Sequence, residues 1–132
     1  MPRMILIVED VETAATALEL ALENIPDVNV VRVADGLRAW ERLGPENGQT
    51  IDALVTDLEL PSLDGFELIR RTREQRRYTA LPIVVVSGHT DPGAAERAVA
   101  LGADAWFGKP WSPRQVRQRV EELLKSSGMG GV

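Results

Sequence analysis

The chain has 132 residues, no cysteine, and 20 acidic against 15 basic side chains, which gives a formal net charge of −5. This length favours one domain with its own hydrophobic core, and the absence of cysteine excludes disulfides, thiolate metal sites and cysteine nucleophiles. The acidic balance disfavours direct binding to a nucleic-acid backbone, because both surfaces would carry negative charge.

The first part of the chain predicts two strands and two helices. Residues 4–8 form a continuous apolar run, which is typical of a strand covered on both faces. This run is too short for a signal-peptide core or a bilayer span, so we expect a soluble, cytoplasmic protein without membrane contact. A helix over residues 13–24, a strand over 28–33 and a short helix near 37–43 follow.

The remainder predicts three strands and three helices, after a loop at residues 44–50. The helix after the third strand carries an apolar stripe, and its arginines, Arg73 among them, should mostly face water. Asp91-Pro92 and Ser112-Pro113 both have the pattern of a helix start, and Gly102 should end the helix between them. Strands are predicted at 53–56, 83–86 and 105–107, and helices around 66–72, 92–101 and 116–124. This alternation indicates a parallel, doubly wound α/β sheet.

Polar side chains stand where the predicted strands end. Glu9 and Asp10 follow the first strand, Asp57 the third, Ser87 the fourth and Lys109 the fifth. In a parallel sheet these ends lie at one edge, and doubly wound folds bind their ligands there, near the point at which the strand order reverses. We therefore expect these side chains to form one site.

The turn after the first strand carries acids where phosphate- or flavin-binding folds have glycines or free amides. Three carboxylates that converge there would raise one another's pKa unless a hard cation neutralised them. An all-oxygen site with few protein ligands suits Mg²⁺, and Mn²⁺ is the alternative ion for the same ligands. We expect Asp10 and Asp57 to be direct ligands and Glu9 to act through water.

Lys109 and Ser87 complete the predicted site. Lys109 is one of two lysines in a chain that otherwise uses arginine, which indicates that a compact positive charge is favoured there. The purely structural interpretation of Lys109 is a strand-end lysine that keeps its charge in water. The corresponding interpretation of Ser87 is an ordinary strand-end hydroxyl. Alignment with Asp57 at one sheet edge favours the functional interpretation of both.

Four motifs lie in order along these elements: Glu9-Asp10, Asp57 with Leu60-Pro61-Ser62-Leu63-Asp64-Gly65 after it, Ser87-Gly88, and Lys109-Pro110. Each is weakly specific alone, but the four together are highly specific. In them the chain resembles the receiver domain of two-component response regulators, with a chemotaxis-regulator-like fold. The resemblance implies a flavodoxin-like, five-stranded parallel sheet of order 2-1-3-4-5 with helices on both faces.

The resemblance implies that Asp57 accepts a phosphoryl group from the phosphohistidine of a sensor histidine kinase or phosphotransfer protein, in a Mg²⁺-dependent reaction. It also implies the Glu59 backbone carbonyl as a further metal ligand, Lys109 as a neutralising charge, and Ser87 as a partner of a phosphoryl oxygen. An aromatic on the fifth strand, here Trp106, would rotate inward as a switch, although the family more often has tyrosine or phenylalanine there. Such a domain is a signalling switch, not an enzyme, and catalyses only its own phosphorylation and dephosphorylation.

Glu59 and His89 lie two residues beyond the acceptor and the hydroxyl. The resemblance gives such positions a role in the lifetime of the acyl phosphate. We expect the Glu59 charge to hinder attacking water or an anionic donor, with a solvated glutamate of no effect as the alternative. His89 is the only histidine, and we expect an exposed loop residue, since a solitary histidine is poor support for a metal site.

The signal is expected to leave through the face formed by helix 4, strand 5 and helix 5, roughly residues 92–125, toward a downstream protein or output domain. A winged-helix subfamily of regulators forms homodimers through this face with charged pairs. This chain has Ala105 and Gln115 at the corresponding positions, which weakens the case for that homodimer. We place the receiver domain at residues 1–125 and a flexible tail, or the start of a linker, at 126–132.

Two alternative functions stay open at this point. A degenerate receiver-like module would serve only as a docking surface, although such members normally lose the acceptor, an acid or the lysine. An aspartate-nucleophile phosphohydrolase is the enzymatic alternative, because Asp57-Leu58-Glu59 loosely resembles the paired acids of haloacid-dehalogenase-like phosphatases. Those enzymes place the nucleophile after the first strand, whereas Asp57 follows the third.

Overall fold

The computed structural model describes the backbone of residues 2–88 and 91–130, in which strands and helices alternate as predicted. The strands are β1 (Arg3–Val8), β2 (Val28–Val33), β3 (Ala53–Thr56), β4 (Ile83–Ser87) and β5 (Ala105–Gly108). The helices are α1 (Glu12–Leu22), α2 (Gly36–Leu43), α3 (Gly65–Glu74), α4 (Ala94–Leu101) and α5 (Pro113–Gly130), and a 3₁₀ turn covers Arg76–Tyr78.

The strands are parallel and form one sheet in the order β2-β1-β3-β4-β5, which confirms the predicted topology. The chain runs from β1 outward to β2 and returns to β3 on the other side of β1, so the strand order reverses between β1 and β3. The register pairs Val8 with Thr56 and Ser87 with Gly108. The carboxyl ends of neighbouring strands therefore meet at one edge of the sheet.

Two hydrophobic layers cover the two faces of the sheet. Leu6 of β1 packs in the layer under α2, α3 and α4, whereas its neighbours Ile5 and Ile7 pack in the layer under α1 and α5. In the three central strands successive residues are buried, at Ile5–Val8, Ala53–Thr56 and Ile83–Ser87, which explains the unbroken apolar runs there. Each such side chain contributes about 1.5–3 kcal/mol by its burial. Among the described helices, none combines the length and apolarity needed to cross a membrane.

The start of α4 differs from the sequence prediction. Asp91 does not cap a helix that begins at residue 92, because its carboxylate accepts a hydrogen bond from the Gly93 N–H at 3.1 Å and its carbonyl accepts one from the Ala94 N–H at 3.0 Å. Residues 91–93 therefore form a turn, and α4 begins at Ala94 without a side-chain cap.

The start of α5 agrees with the prediction, since the Ser112 hydroxyl accepts a hydrogen bond from the Gln115 N–H at 3.3 Å. At its other end α5 continues to Gly130, so the described backbone beyond Lys125 is helical. The division into a receiver domain and a tail at residue 126 stays a prediction.

Arg73 departs from the expected solvent-facing position, because its side chain is only 17% exposed. Its guanidinium donates hydrogen bonds to the carbonyl oxygens of Gly102 at 2.6 Å and Tyr78 at 2.8 Å, and lies 3.2 Å from the Asp104 carboxylate. Gly102 ends α4 with a left-handed φ of +118°, and a Cβ there would stand 2.7 Å from the Arg73 Nε. Arg73 thus joins the C-terminal ends of α3 and α4 to the start of β5.

Candidate functional site

Three acidic side chains converge at the carboxyl edge of the sheet, as the sequence predicts. Glu9 and Asp10 follow β1, Asp57 follows β3, and one carboxylate oxygen of each lies within 4.8 Å of the others. Backbone pairing continues past the strand ends, since the Asp57 N–H donates to the Val8 carbonyl at 3.0 Å and the Glu9 N–H to the Val33 carbonyl at 3.1 Å. Glu9 and Asp57 are 4% and 7% exposed, whereas Asp10 is open to solvent.

Burial and mutual repulsion shift the titration of this acidic cluster. The pKa of Glu9 is raised to about 7, chiefly by burial and further by the charges of Asp57 and Asp10, against one backbone hydrogen bond that lowers it. Burial also raises the pKa of Asp57, although hydrogen bonds from two backbone N–H groups and one hydroxyl oppose the rise. The expected repulsion is present, but burial is the larger cause. The fully charged cluster is therefore disfavoured unless a positive charge joins it.

The carboxylate of Asp57 is oriented by the loop that follows it. Its Oδ1 accepts hydrogen bonds from the N–H groups of Leu58 at 2.6 Å and Glu59 at 3.4 Å. Gly65 closes this loop, because its N–H donates to the Leu58 carbonyl at 2.8 Å. A Cβ on residue 65 would collide with the backbone of Asp57 and Leu58, so only glycine lets α3 begin there. Oδ2 is the oxygen that these two amides leave available.

Ser87 and Lys109 stand at the ends of the next two strands. Ser87 is 1% exposed, and its hydroxyl hydrogen-bonds to the Asp57 side chain, so it engages the carboxylate before any modification. The Lys109 N–H donates to the Ser87 carbonyl at 3.0 Å, and the Lys109–Pro110 peptide bond is cis. The Lys109 side chain lies across Gly88, where a Cβ would stand 2.9 Å from its Cδ. Gly88 thus leaves the space that the lysine occupies.

The family model described as the response regulator receiver domain matches residues 5–121, from β1 into α5. The chain belongs to this family. The match contains every residue of the site from Glu9 to Lys109, and the resemblance inferred from the motifs is confirmed. Membership favours the receiver interpretation over the aspartate-nucleophile phosphohydrolase, since the family is one of signalling domains.

Relatives of this receiver domain occur in proteins of different architecture. A chemotaxis protein CheY homolog of Campylobacter jejuni subsp. jejuni is 29% identical over 129 residues, which is 96% of either chain. The alkaline phosphatase synthesis transcriptional regulatory protein PhoP of Bacillus subtilis is 33% identical over 96% of this chain and 50% of its own length. The receiver domain of the sensor histidine kinase PA1611 of Pseudomonas aeruginosa PAO1, solved with a magnesium ion coordinated in its active site cleft, gives a TM-score of 0.81 at 26% identity, over 95% of this chain and 99% of that one.

The other predicted residues of the receiver site lie at its periphery. Trp106, in β5, is half-buried against the core layer under α4, and the Glu59 side chain is exposed. His89 lies outside the described residues. One contact was not anticipated from the sequence: the buried Thr56 hydroxyl donates to the Asp57 carbonyl at 2.8 Å. A threonine at the end of an otherwise apolar strand was the available signal.

The donor set of the acidic cluster fits a hard divalent cation. Glu9, Asp10 and Asp57 offer oxygen atoms only, and Mg²⁺ prefers such ligands with several positions left for water or phosphate oxygens. Exposure of Asp10 leaves the cluster accessible from solvent. The raised pKa of Glu9 is a second reason to assign a cation to this cluster, because the cation would replace the proton that the buried carboxylates otherwise retain.

Proposed function

We propose that this receiver domain is a phosphorylation switch whose acceptor is Asp57, and that a sensor histidine kinase or phosphotransfer protein supplies the phosphoryl group. The observation that carries the proposal is the acidic cluster itself. Within it, Asp57 is buried and its Oδ1 accepts hydrogen bonds from two backbone amides, and we assign Oδ2, which neither amide bonds, to the reacting phosphorus. A carboxylate so oriented reacts with a smaller loss of rotational freedom than a free one.

The transfer is a substitution at phosphorus with Asp57 as nucleophile. An oxygen of the carboxylate forms the new O–P bond while the N–P bond to the donor histidine breaks. The electron pair of that bond returns to the imidazole nitrogen, which takes up a proton from solvent. The product is an acyl phosphate on Asp57, and hydrolysis of its P–O bond by water restores the carboxylate.

Glu9, Asp10 and Asp57 would hold a Mg²⁺ or Mn²⁺ ion, with the Glu59 carbonyl as a further family-type ligand. When bound, the ion neutralises charge on the carboxylates and on the phosphoryl oxygens. The chain's own residues supply the remaining stabilisation. Lys109 offsets the charge of another phosphoryl oxygen, and the low exposure of Asp57 strengthens that electrostatic interaction.

The response to phosphorylation begins at Ser87. Its hydroxyl, which hydrogen-bonds to the unmodified Asp57 side chain, would instead donate its hydrogen bond to a phosphoryl oxygen. This change of partner would draw the loop that follows Ser87 inward. Trp106 on the neighbouring β5 would then move into the space that opens, and the α4–β5–α5 face would carry the change to a downstream protein or output domain. In this proposal the domain catalyses only its own phosphorylation and dephosphorylation.

Intact-mass measurement after incubation with acetyl phosphate and Mg²⁺ tests the proposal. We expect one phosphoryl adduct on the unmodified chain and none on Asp57→Asn. Asp27→Asn is the matched control, because Asp27 lies at the opposite edge of the sheet and its left-handed φ of 60° suits asparagine. A chain without an adduct would support the docking-module alternative, and an adduct that survives Asp57→Asn would assign the acceptor elsewhere. Multiple turnover of small phosphate esters would support the phosphohydrolase.

The metal assignment has a separate test. A cation that binds only the folded state raises the melting temperature by mass action, with about 2.7 kcal/mol of added stability at a hundredfold excess over Kd. We expect a Mg²⁺-dependent rise that Asp10→Asn greatly weakens. A melting temperature that stays constant across millimolar Mg²⁺ would refute the three-carboxylate site.

A further inference from the structure

The loop between β3 and α3, residues 58–64, rests against the first turn of α2. The Gly36 N–H donates to the Pro61 carbonyl at 3.2 Å, and the Leu37 N–H donates to the Ser62 hydroxyl at 3.3 Å. That hydroxyl lies 2.6 Å from the Pro61 carbonyl oxygen and 3.3 Å from the Asp35 Oδ1, and either oxygen can accept its single proton. Residues from two separate loops are thus bonded together at this contact.

The contact is close and constrains both partners. A Cβ on Gly36 would overlap the backbone of Leu63, so position 36 admits only glycine. Ser62 has a left-handed φ of 68°, which is uncommon for serine and is maintained only where the surroundings hold it. Asp35 also accepts a hydrogen bond from the Arg38 N–H at 2.8 Å, so the carboxylate that meets Ser62 is itself fixed as the cap of α2.

The same loop orients the acceptor. Its first two amides, those of Leu58 and Glu59, bond the Asp57 Oδ1. Only Leu60 separates Glu59 from Pro61, the residue that α2 holds. A displacement at Pro61 or Ser62 is therefore transmitted through very few rotatable bonds to the amides that orient the carboxylate.

We propose that Ser62 and Asp35 form a latch that positions the β3–α3 loop and, through the Leu58 and Glu59 amides, the carboxylate of Asp57. The proposal rests on the function assigned to Asp57 above. Neither latch residue touches the reacting atoms, so both are positioning residues. The latch makes α2 part of the phosphorylation machinery, although that helix contributes no side chain to the acidic cluster.

Three variants of the full chain test the latch. Ser62→Gly removes the hydroxyl but suits the left-handed backbone, so its melting temperature should not fall. Asp35→Ser keeps a side chain able to cap α2 but is too short to reach Ser62. Each single variant should slow phosphorylation by acetyl phosphate at saturating Mg²⁺ about threefold to tenfold, the change that corresponds to one or two hydrogen bonds. The double variant should be no slower than the slower single variant, because the contact between Ser62 and Asp35 is already lost in each single variant.

Amide hydrogen exchange measured by NMR without any phosphoryl donor gives a readout apart from activity. Exchange at Leu58 and Glu59 should accelerate in Ser62→Gly, while Thr79→Ala, which removes an exposed hydroxyl bonded to the Arg76 carbonyl at 3.4 Å, should leave it unchanged. Unchanged exchange, or rate effects that add in the double variant, would overturn the latch. If the unmodified chain takes up no phosphoryl group, the proposed function fails, and the exchange measurement still decides whether the latch orders these amides.

Discussion

The substitution Glu9→Gln tests whether the acidic cluster stores unfavourable energy when no cation is present. The pKa of Glu9 rises from 4.5 to about 7 on folding, so the folded protein binds this proton more tightly than the unfolded chain does. Protonation of Glu9 therefore favours the folded state, and that stabilisation is complete below pH 4.5 and is lost as the pH rises through about 7. At about 1.4 kcal/mol per pH unit across this interval, the charged carboxylate costs about 3 kcal/mol.

Urea unfolding in EDTA between pH 4 and pH 8 measures this cost. Glutamine has the shape of protonated glutamate but never ionises, so Glu9→Gln should match the unmodified chain at pH 4 and exceed it by about 3 kcal/mol at pH 8. For a chain of this length that difference corresponds to about 10 °C in melting temperature. Millimolar Mg²⁺ should narrow the gap, because a cation stabilises only the chain that retains the full carboxylate set.

Glu46→Gln is the control, since Glu46 is an exposed carboxylate in the loop after α2. Its stability difference from the unmodified chain should not vary over the same pH range. A pH-independent difference for Glu9→Gln, or a Glu9→Gln variant that is less stable at pH 8 in EDTA, would refute the argument that burial disfavours the charged form.

Three further substitutions have defined outcomes. Gly65→Ala forces a Cβ into the backbone of Asp57, and urea unfolding should show a loss of at least about 2 kcal/mol; wild-type stability would mean that α3 can shift freely. Tyr78→Phe removes the hydroxyl that accepts the buried Ile51 N–H at 3.0 Å, so we expect a loss of about 1–3 kcal/mol with phosphorylation unaffected, and a neutral effect would indicate that water replaces the hydroxyl. Lys109→Ala should slow phosphorylation by acetyl phosphate on the order of a hundredfold while the melting temperature still rises with Mg²⁺, and an unchanged rate would remove Lys109 from the mechanism.

The fold was predictable because its central strands β1, β3 and β4 are covered on both faces. The buried positions of a strand such as β1, Ile5–Val8, must then all be apolar, and prolines and glycines mark several of the other boundaries. The start of α4 was missed because Asp91-Pro92 supports either a capped helix or a turn, and the chain uses the turn. The burial of Arg73 was missed because it depends on the left-handed backbone of Gly102, which lies 29 residues away in sequence.

The site was predictable as a set of residues but not as a set of environments. A parallel sheet brings strand ends together, so position alone indicates that Glu9, Asp57 and Ser87 meet. Sequence gives no measure of burial, however, and the buried state of Glu9 is what moves its pKa furthest. The contact of Ser62 with Asp35 was also hidden, because it joins two loops 27 residues apart whose approach depends on the three-dimensional placement of α2.

The attachment of Arg73 to the C-terminal end of α4 sets how that helix can move. The helix has 8 residues, no side chain caps its first turn, and at its other end Arg73 donates a hydrogen bond to the Gly102 carbonyl. The helix is about 12 Å long, and a tilt of about 10° around its Gly102 end shifts the first turn by about 2 Å. In the proposed switch the displacement would be graded along the helix, so a downstream protein would detect it near Ala95 and not at Leu101.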